Sequence, residues 1–170
     1  MKKKSLLERN YNFQPRINFP DYKSSILRAP SKEKISFPST LSEVSGPVFT
    51  TDILGKNDND LTLNFSKNNN SPLGHKILVY GTLKDQFLNP IEGALIEIWQ
   101  ANASGKYLHP NDTTPTPIDP NVAGCGRYIS ASDGYYELLT IQPGPYPYPN
   151  RGIEWRPMHI HLSIFGKSFG

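Results

Sequence analysis

A His-x-His pair near the end of this 170-residue chain has the residue types best suited to chemistry. His159 and His161 lie in an alternating apolar stretch, residues 155–165, that is typical of a β-strand. Because side chains alternate along a strand, both imidazoles face one side, about 7 Å apart, and can converge on a metal ion. The pair alone leaves two interpretations open: a metal site, or two half-buried histidines with backbone partners.

Cysteines and carboxylates offer few further ligands. Cys125 is the single cysteine, which excludes a zinc site built from several cysteines. Acids near the histidines are sparse, so a two-histidine, one-carboxylate iron(II) site lacks an obvious carboxylate. Glu97, within a more N-terminal alternating segment, is interpreted as a polar residue at a sheet edge rather than as a ligand.

Tyrosines are better candidates for the remaining ligands. Tyr107 lies at the start of a long polar loop, and Tyr146 is held between two prolines. A tyrosine hydroxyl has an unperturbed pKa of about 10, so binding at neutral pH requires a highly charged, hard cation. Fe(III) meets that requirement better than zinc or calcium. The alternative for each tyrosine is an ordinary aromatic residue with a hydrogen-bonded hydroxyl.

The elements that must position these residues are β-strands. The 16 prolines and 13 glycines favour an all-β fold with many turns. Strand patterns occur at residues 76–83 and 94–100, and residues 126–141 have the pattern of a hairpin. A long loop at residues 101–124 and a rigid aromatic corner at residues 143–149 complete the order before the histidine strand, which is expected to be central. This order predicts a β-sandwich.

Two regions are predicted: an extended N-terminal arm at residues 1–48 and a β-sandwich catalytic domain at residues 49–170. Residues 1–34 hold nine Lys or Arg against three acids, a net charge of +6, whereas the whole chain carries +3. A basic arm rich in aromatic residues favours docking to another protein. Nucleic acid is the weaker alternative, because no recognition motif accompanies the charge.

The composition also bears on the compartment. No stretch approaches the roughly 18 apolar residues of a membrane span, so no membrane association is expected. The N-terminal lysines are not followed by the apolar core of a signal peptide. A single cysteine fits a reducing environment. We therefore expect a cytoplasmic protein.

Eight short motifs carry a resemblance to a known family. They lie at residues 81–85, 97–103, 105–107, 119–121, 124–127, 133–136, 143–147 and 155–161. Together they resemble the intradiol ring-cleavage dioxygenases, and within them the protocatechuate-cleaving beta chains. The similarity extends from the arm, at residue 20, to the last residue. The helical dimerisation segment with which catechol and hydroxyquinol members begin is not found here.

The resemblance implies a non-haem Fe(III) centre with Tyr107, Tyr146, His159 and His161 as ligands. In the family, the tyrosine that matches Tyr146 is displaced when the substrate binds, so this residue also has a catalytic role. Arg156 matches an arginine beside the bound aromatic ring, where its charge stabilises carbanionic density. The alternative for Arg156 is a surface salt bridge.

Two further residues are assigned to the substrate pocket by resemblance. Tyr22 matches an arm tyrosine that lines the pocket. Tyr148 stands in the pocket wall, where the family commonly has tryptophan. The family's beta chain continues with further strands beyond the point matching Gly170. The sandwich is therefore expected to be incomplete at its C-terminus.

The function implied by the resemblance is cleavage of protocatechuate, 3,4-dihydroxybenzoate, by dioxygen to 3-carboxy-cis,cis-muconate. This reaction belongs to the beta-ketoadipate pathway of aromatic catabolism. The chain would act as a beta subunit beside a homologous alpha chain in a hetero-oligomer. Two alternatives stay open: a non-catalytic, truncated subunit that acts only in binding or assembly, and a related catechol or hydroxyquinol dioxygenase.

Overall fold

The part of the chain that is described in the computed structural model comprises residues 30, 32, 49–68, 70–149 and 153–166. The predicted arm lies almost entirely outside these residues, and so does Tyr22. The chain divides into two units, Met1–Phe37 and Pro38–Gly170. The predicted division at residues 48 and 49 stays a prediction. Every strand among the described residues belongs to the second unit.

The regular structure of the described residues consists of seven β-strands and one 3-10 turn, Thr51–Ile53. The strands are β1 (Lys76–Thr82), β2 (Leu95–Trp99), β3 (Cys125–Ile129), β4 (Tyr135–Ile141), β5 (Tyr146–Pro149), β6 (Ile153–Arg156) and β7 (His161–Phe165). All ladders are antiparallel: β1 pairs with β4, β2 lies between β3 and β7, and β5 pairs with β6. The prediction of an all-β fold is confirmed. No helix in the described ranges is long and apolar enough to cross a membrane.

The two larger sheets share one apolar core. Ile96 and Ile98 project from one face of β2 and pack with Leu138 of β4 and with Leu61 from a preceding turn. None of these four side chains is more than 2% exposed. Burial of such side chains stabilises a fold by about 1.5–3 kcal/mol each. The β1–β4 sheet and the β3–β2–β7 sheet therefore form two layers, as expected of the predicted β-sandwich.

The hairpin predicted at residues 126–141 is wrong in its pairing. A turn does link the two strands, with Ala131 N donating to Tyr135 O at 2.9 Å and Gly134 at a φ of 77°. Beyond it, β3 joins β2 and β4 joins β1. Leu83 N also donates to Gly134 O at 2.8 Å, which extends the β1–β4 ladder to the turn. The turn therefore carries the chain from one layer of the sandwich to the other.

The single strand predicted through both histidines is divided in two. Strand β6 ends at Arg156 and β7 begins at His161. Pro157 lies in the break, where its missing N–H prevents it from continuing a ladder. Among the described residues β7 pairs only with β2 and is an edge strand of that sheet. The central position predicted for the histidine strand stays a prediction. His159 thus lies in the link between the strands, not inside one.

Two smaller corrections concern neighbouring segments. The predicted corner at residues 143–149 contains strand β5, which pairs with β6 despite its prolines. Glu97, predicted at a sheet edge, lies on the central strand β2. Its Oε1 accepts a hydrogen bond from Arg127 Nε on β3 at 2.9 Å. The interpretation of Glu97 as a structural polar residue fits this ion pair.

Candidate metal centre

The side chains predicted to be metal ligands lie together in the structure. Tyr146 Oη is 3.3 Å from His159 Nε2, and His159 Nε2 is 3.2 Å from His161 Nε2. The rings of Tyr107 and Tyr146 meet edge to face, with centroids 5.3 Å apart. Two phenols and two imidazoles from four separate positions therefore form one cluster. Their role as ligands stays a prediction.

Three of the donor atoms are spaced as the ligands of one ion would be. Two atoms about 2.1 Å from a metal are separated by about 3.0 Å at a right angle and about 3.4 Å at the tetrahedral angle. The distances of 3.3 Å from Tyr146 Oη to His159 Nε2, and of 3.2 Å from there to His161 Nε2, lie between these limits. Each of these two pairs of atoms is therefore spaced as two ligands of one metal ion would be.

His159 is oriented by a neighbouring carbonyl. Its Nδ1 lies 2.6 Å from Pro157 O. Because a carbonyl oxygen only accepts hydrogen bonds, Nδ1 must carry the proton, and the lone pair of the neutral ring is then on Nε2. That nitrogen is the one that faces Tyr146 and His161. The break at Pro157 thus sets the tautomer that a metal ligand requires.

His161 is held by an aromatic neighbour and kept neutral. Trp99, directly opposite on β2, stacks on its ring with centroids 4.8 Å apart and planes 3° apart. Burial lowers the pKa of His161 below its usual value; protonation of the neighbouring His159 would lower it further, and so does the charge of Arg156. The imidazole is therefore uncharged at neutral pH, which is the form that binds metals.

Tyr107 carries the most informative atom of the cluster. Its hydroxyl oxygen is buried and makes no hydrogen bond of normal geometry with the described groups, although the Tyr146 phenol lies close enough to interact with it. Burial raises the pKa of Tyr107 above its usual value, and the adjacent Tyr146 phenol raises it further, while the Arg156 charge opposes these effects. A buried polar group without a partner costs about 1–3 kcal/mol. A cation at the cluster would remove that cost and displace the phenol proton.

The loop that carries Tyr107 is fixed by one carboxylate and one lysine. Asp112 Oδ2 accepts from Tyr107 N at 2.8 Å, and Asp112 Oδ1 is 3.2 Å from Lys106 Nζ. Lys106, only 8% exposed, also donates to the carbonyls of Asp112 and Thr114 at 2.7 Å. The long loop predicted to be functional is therefore tightly hydrogen-bonded around its tyrosine.

Arg156 and Tyr148, both assigned to the substrate pocket, lie beside the cluster. Arg156 is directly opposite Tyr146 in the β5–β6 ladder, and its guanidinium carbon is 4.2 Å from the centroid of the Tyr148 ring. Its positive charge lowers the pKa values of Tyr107 and His161, so its field reaches the cluster. The substrate roles of both residues stay predictions.

Other metal-binding groups do not gather elsewhere in the described ranges. No three His, Cys, Asp or Glu side chains come together there as ligands. A separate cleft of about 400 Å³ lies on the outer face of the three-stranded sheet, beside Glu97, Cys125 and Arg127. Trp99 also lines this cleft, and its ring stacks on His161 of the tyrosine–histidine cluster.

Sequence reasoning missed the residues that hold the predicted ligands in place. The stack of Trp99 on His161 depends on the pairing of β2 with β7, which no local pattern reveals. Asp112 did have a signal: an Asp two residues before Thr114 in a polar loop is typical of a turn closed by its own side chain. Thr114 N indeed donates to Asp112 Oδ1 at 2.9 Å.

Comparison with known proteins places these features in a family. Residues 44–170 match the dioxygenase family, and residues 8–40 match the N-terminal region of protocatechuate 3,4-dioxygenase beta subunits. The chain is 42% identical, over 165 residues, to the protocatechuate 3,4-dioxygenase beta chain of Burkholderia cepacia. That alignment covers 97% of this chain and 70% of the relative.

More distant relatives are matched over shorter lengths. A chlorocatechol 1,2-dioxygenase of Pseudomonas sp. strain P51 is 29% identical over 53% of this chain and 38% of its own length. Among solved structures, the 3-chlorocatechol 1,2-dioxygenase of Rhodococcus opacus 1CP aligns with a TM-score of 0.49 and 25% identity, covering 71% of this chain and 50% of that one. On the match over residues 44–170 and the 42% identity to a beta chain, the protein belongs to the intradiol dioxygenase family that includes the protocatechuate 3,4-dioxygenase beta chains.

Proposed function

We propose that this chain is the beta subunit of an Fe(III)-dependent intradiol dioxygenase that cleaves protocatechuate. The observation that carries the proposal is the cluster of two phenols and two imidazoles with a buried, unpaired Tyr107 hydroxyl. The choice of substrate is supported by the similarity to a protocatechuate 3,4-dioxygenase beta chain, which extends along 97% of the present chain. Because the chain spans 70% of that relative and 38% of the chlorocatechol enzyme, the activity of the whole protein is part of the proposal.

The metal would be held by Tyr107, Tyr146, His159 and His161. Two phenolates and two neutral imidazoles offset two of the three charges of Fe(III), and the remaining charge suits a hydroxide or a catecholate. When bound, ferric iron supplies Lewis acidity toward the catechol oxygens and accepts electron density from the ring. Zinc or calcium would compete less well for phenol oxygens, because each carries a smaller charge.

The residues of the chain prepare this site in defined ways. The His159 Nδ1 proton is held on Pro157 O, so Nε2 is the ligand nitrogen. The hydroxyl protons of Tyr107 and Tyr146 must leave for solvent as the cation enters. The Arg156 charge lowers the pKa of Tyr107 and so assists that loss. It would also stabilise negative charge on the ring of a bound catechol.

The overall reaction needs no further oxidant. The bond between the two hydroxyl-bearing ring carbons breaks, and both atoms of dioxygen enter the product as carboxylate oxygens. Protocatechuate thus becomes 3-carboxy-cis,cis-muconate. Because dioxygen is reduced by the four electrons that the ring gives up, the reaction is complete without an external reductant.

We further propose that a homologous alpha chain completes the enzyme, and that the enzyme is cytoplasmic. Residues 8–40 match the N-terminal region of beta subunits, and this segment overlaps residues 1–34 of the arm, which carry a net charge of +6. A basic arm beside aromatic residues suits an acidic, partly apolar protein surface. The single cysteine supports the choice of compartment.

The deciding experiment measures colour and oxygen uptake. Protein loaded with Fe(III), alone and with an alpha chain, is expected to show a visible tyrosinate-to-iron absorption band, and to consume one dioxygen per protocatechuate. Zinc-loaded protein is the control and should be colourless and inactive. Catechol and hydroxyquinol, tested in parallel, separate the protocatechuate enzyme from its relatives. Iron-loaded protein without the band would contradict the proposed ligands, and a band without oxygen uptake would assign a binding role only.

A further inference from the structure

The two tyrosines of the cluster come from separate loops that are fastened together at one buried residue. Asn102, 6% exposed, follows strand β2 and lies five residues before Tyr107. Its carbonyl oxygen accepts from Gly105 N at 3.0 Å and from Gly144 N at 2.9 Å. The first bond closes the turn before Tyr107, and the second reaches the segment that leads to Tyr146. One carbonyl therefore joins both loops.

The side chain of Asn102 adds bonds within the Tyr107 loop. Its Oδ1 accepts from Ser104 N at 3.0 Å and from Lys106 N at 2.9 Å. Its Nδ2 donates to Pro117 O at 3.0 Å, on the far side of the same loop. The amide thus ties the beginning and the end of the loop together. An alanine at this position would leave two backbone N–H groups without that acceptor.

The two loops also approach so closely that only glycine fits between them. Gly105 has a φ of 78°, and a Cβ there would overlap the Pro145 carbonyl oxygen. A Cβ on Gly144 would overlap the Ala103 carbonyl oxygen. Pro145 directly precedes Tyr146. The separation of the two backbones, and hence of the two phenols, is therefore set by this contact.

We propose that Asn102 is a positioning residue for the tyrosine pair. Its side-chain amide holds the Tyr107 loop in the turn that presents the Asn102 carbonyl to Gly144 N, in the segment of Tyr146. The inference rests on the proposed function, in which both phenols bind one ion. It assigns to Asn102 the spacing of the two ligands, rather than any contact with substrate. Loss of the residue should therefore alter how iron is bound even where the fold survives.

The main test compares Asn102→Ala with Ser130→Ala in the full protein loaded with Fe(III). Ser130 is also buried, and its Oγ accepts from Ala94 N at 2.9 Å and donates to Ile91 O at 2.7 Å, among groups remote from the tyrosines in sequence. Both variants lose buried polar bonds, so both should melt at a lower temperature. Only Asn102→Ala is expected to weaken iron binding, by about tenfold or more, and to shift the visible band at equal iron content.

A second pair of variants decides the matter if Asn102→Ala does not fold. Gly105→Ala and Gly93→Ala place a methyl group on backbones with nearly the same positive φ, 78° and 72°. A Cβ on Gly93 meets nothing within 4 Å, whereas one on Gly105 meets the Pro145 carbonyl. Gly105→Ala should therefore shift the band, and Gly93→Ala should not.

The outcomes separate the inference from the proposed function. Parent protein that binds Fe(III) with the band, and Asn102→Ala and Gly105→Ala variants with the same band and affinity, would overturn the inference alone. Parent protein that shows no tyrosinate band would overturn the proposed function, and the inference with it. A band shift in the Asn102 and Gly105 variants, absent from the Ser130 and Gly93 controls, would support both.

Discussion

The indole of Trp99 lies flat on the imidazole of His161, with ring centroids 4.8 Å apart and ring planes 3° apart. The two residues face each other across the β2–β7 ladder. His161 lies at the first position of an edge strand, where backbone pairing comes from one side only among the described residues. The stack therefore restrains a side chain that its own strand holds weakly.

The first prediction concerns this stack. Replacement of Trp99 by Leu should weaken Fe(III) binding by about tenfold, because an offset aromatic pair contributes about 0.5–1.5 kcal/mol and groups behind a ligand tune its affinity. Trp99→Phe keeps an aromatic face and should recover most of the affinity. The measurement is competitive Fe(III) binding against a coloured chelator.

Trp155 provides the matched control. It is the other tryptophan of the chain, lies on β6 and is 63% exposed. Trp155→Leu should leave the iron affinity unchanged. Equal losses in the Trp99 and Trp155 variants would show that the stack has no special role.

The second prediction concerns the buried hydroxyl of Tyr107. Tyr107→Phe should have opposite effects on stability and on metal binding. Without metal, removing an unpaired buried hydroxyl should raise the free energy of unfolding by about 1 kcal/mol. With Fe(III), the variant should lose more than about tenfold in affinity, together with much of the visible band. Urea unfolding of the metal-free protein and iron titration measure the two effects separately.

Tyr128→Phe is the control for the loss of a phenol oxygen. Tyr128 is partly buried and packs against the apolar core between the two sheets, not against the tyrosine–histidine cluster. Its replacement should leave iron affinity and colour unchanged. If Tyr107→Phe retains full iron affinity, Tyr107 is not a ligand, whatever its effect on stability.

The sequence predicted the strands better than it predicted their partners. Strands at residues 76–83 and 94–100 appear as β1 and β2, because β-branched and alternating residues favour extended backbone locally. The pairing of β3 with β2, rather than with β4, depends on which sheet each strand packs into after the turn. Such non-local choices leave no mark in the sequence of the turn itself.

The candidate site shows the same limit. The residue types of the predicted ligands suggested metal chemistry, and the family motifs supplied the set of four. The supports at Trp99, Asn102 and Asp112 were not predicted, because each acts on a residue whose position depends on the folded loop or ladder. The division of the histidine strand at Pro157 had a visible cause, since proline cannot donate to a ladder.

The third prediction concerns the basic arm, which lies outside the described residues. Deletion of residues 1–10 removes four of the nine basic residues of the arm and one acid. We expect the core to stay folded and the association with an alpha chain to weaken modestly, because exposed ion pairs contribute about 0–1 kcal/mol each. The difference in association between the full and the trimmed chain should decrease as the salt concentration rises, because salt screens the charges of the arm. Sedimentation across a salt series measures it, and equal association at every salt concentration would contradict a docking role.

The last prediction is a pH dependence that arises from Asp112. Partial burial acts to raise the pKa of Asp112, but hydrogen bonds from Thr114, Tyr107 N and Lys106 outweigh it and hold the pKa at about 2, against an ordinary value of 3.8. A carboxyl group whose pKa is lowered in the fold contributes its full stabilisation at pH values above its ordinary pKa. That stabilisation is lost as the pH falls from about 4 to about 2. Its size is about 2 kcal/mol unscreened and about 1 kcal/mol once solvent screening is included.

The test is the free energy of unfolding in urea for the parent chain and Asp112→Asn, from about pH 6 down to about pH 2. The difference in the free energy of unfolding between the two chains should be largest at about pH 6 and should decrease below about pH 4. Only the parent chain has a carboxylate at position 112 that becomes protonated in this range. Thr114→Val removes one donor to Asp112, so the pKa of Asp112 should be lowered less than in the parent chain. The acid-induced loss of stability should then be smaller and should be complete at a higher pH. A difference between the parent chain and Asp112→Asn that stays constant down to the lowest pH would mean that the Asp112 charge contributes nothing to the loop that holds Tyr107.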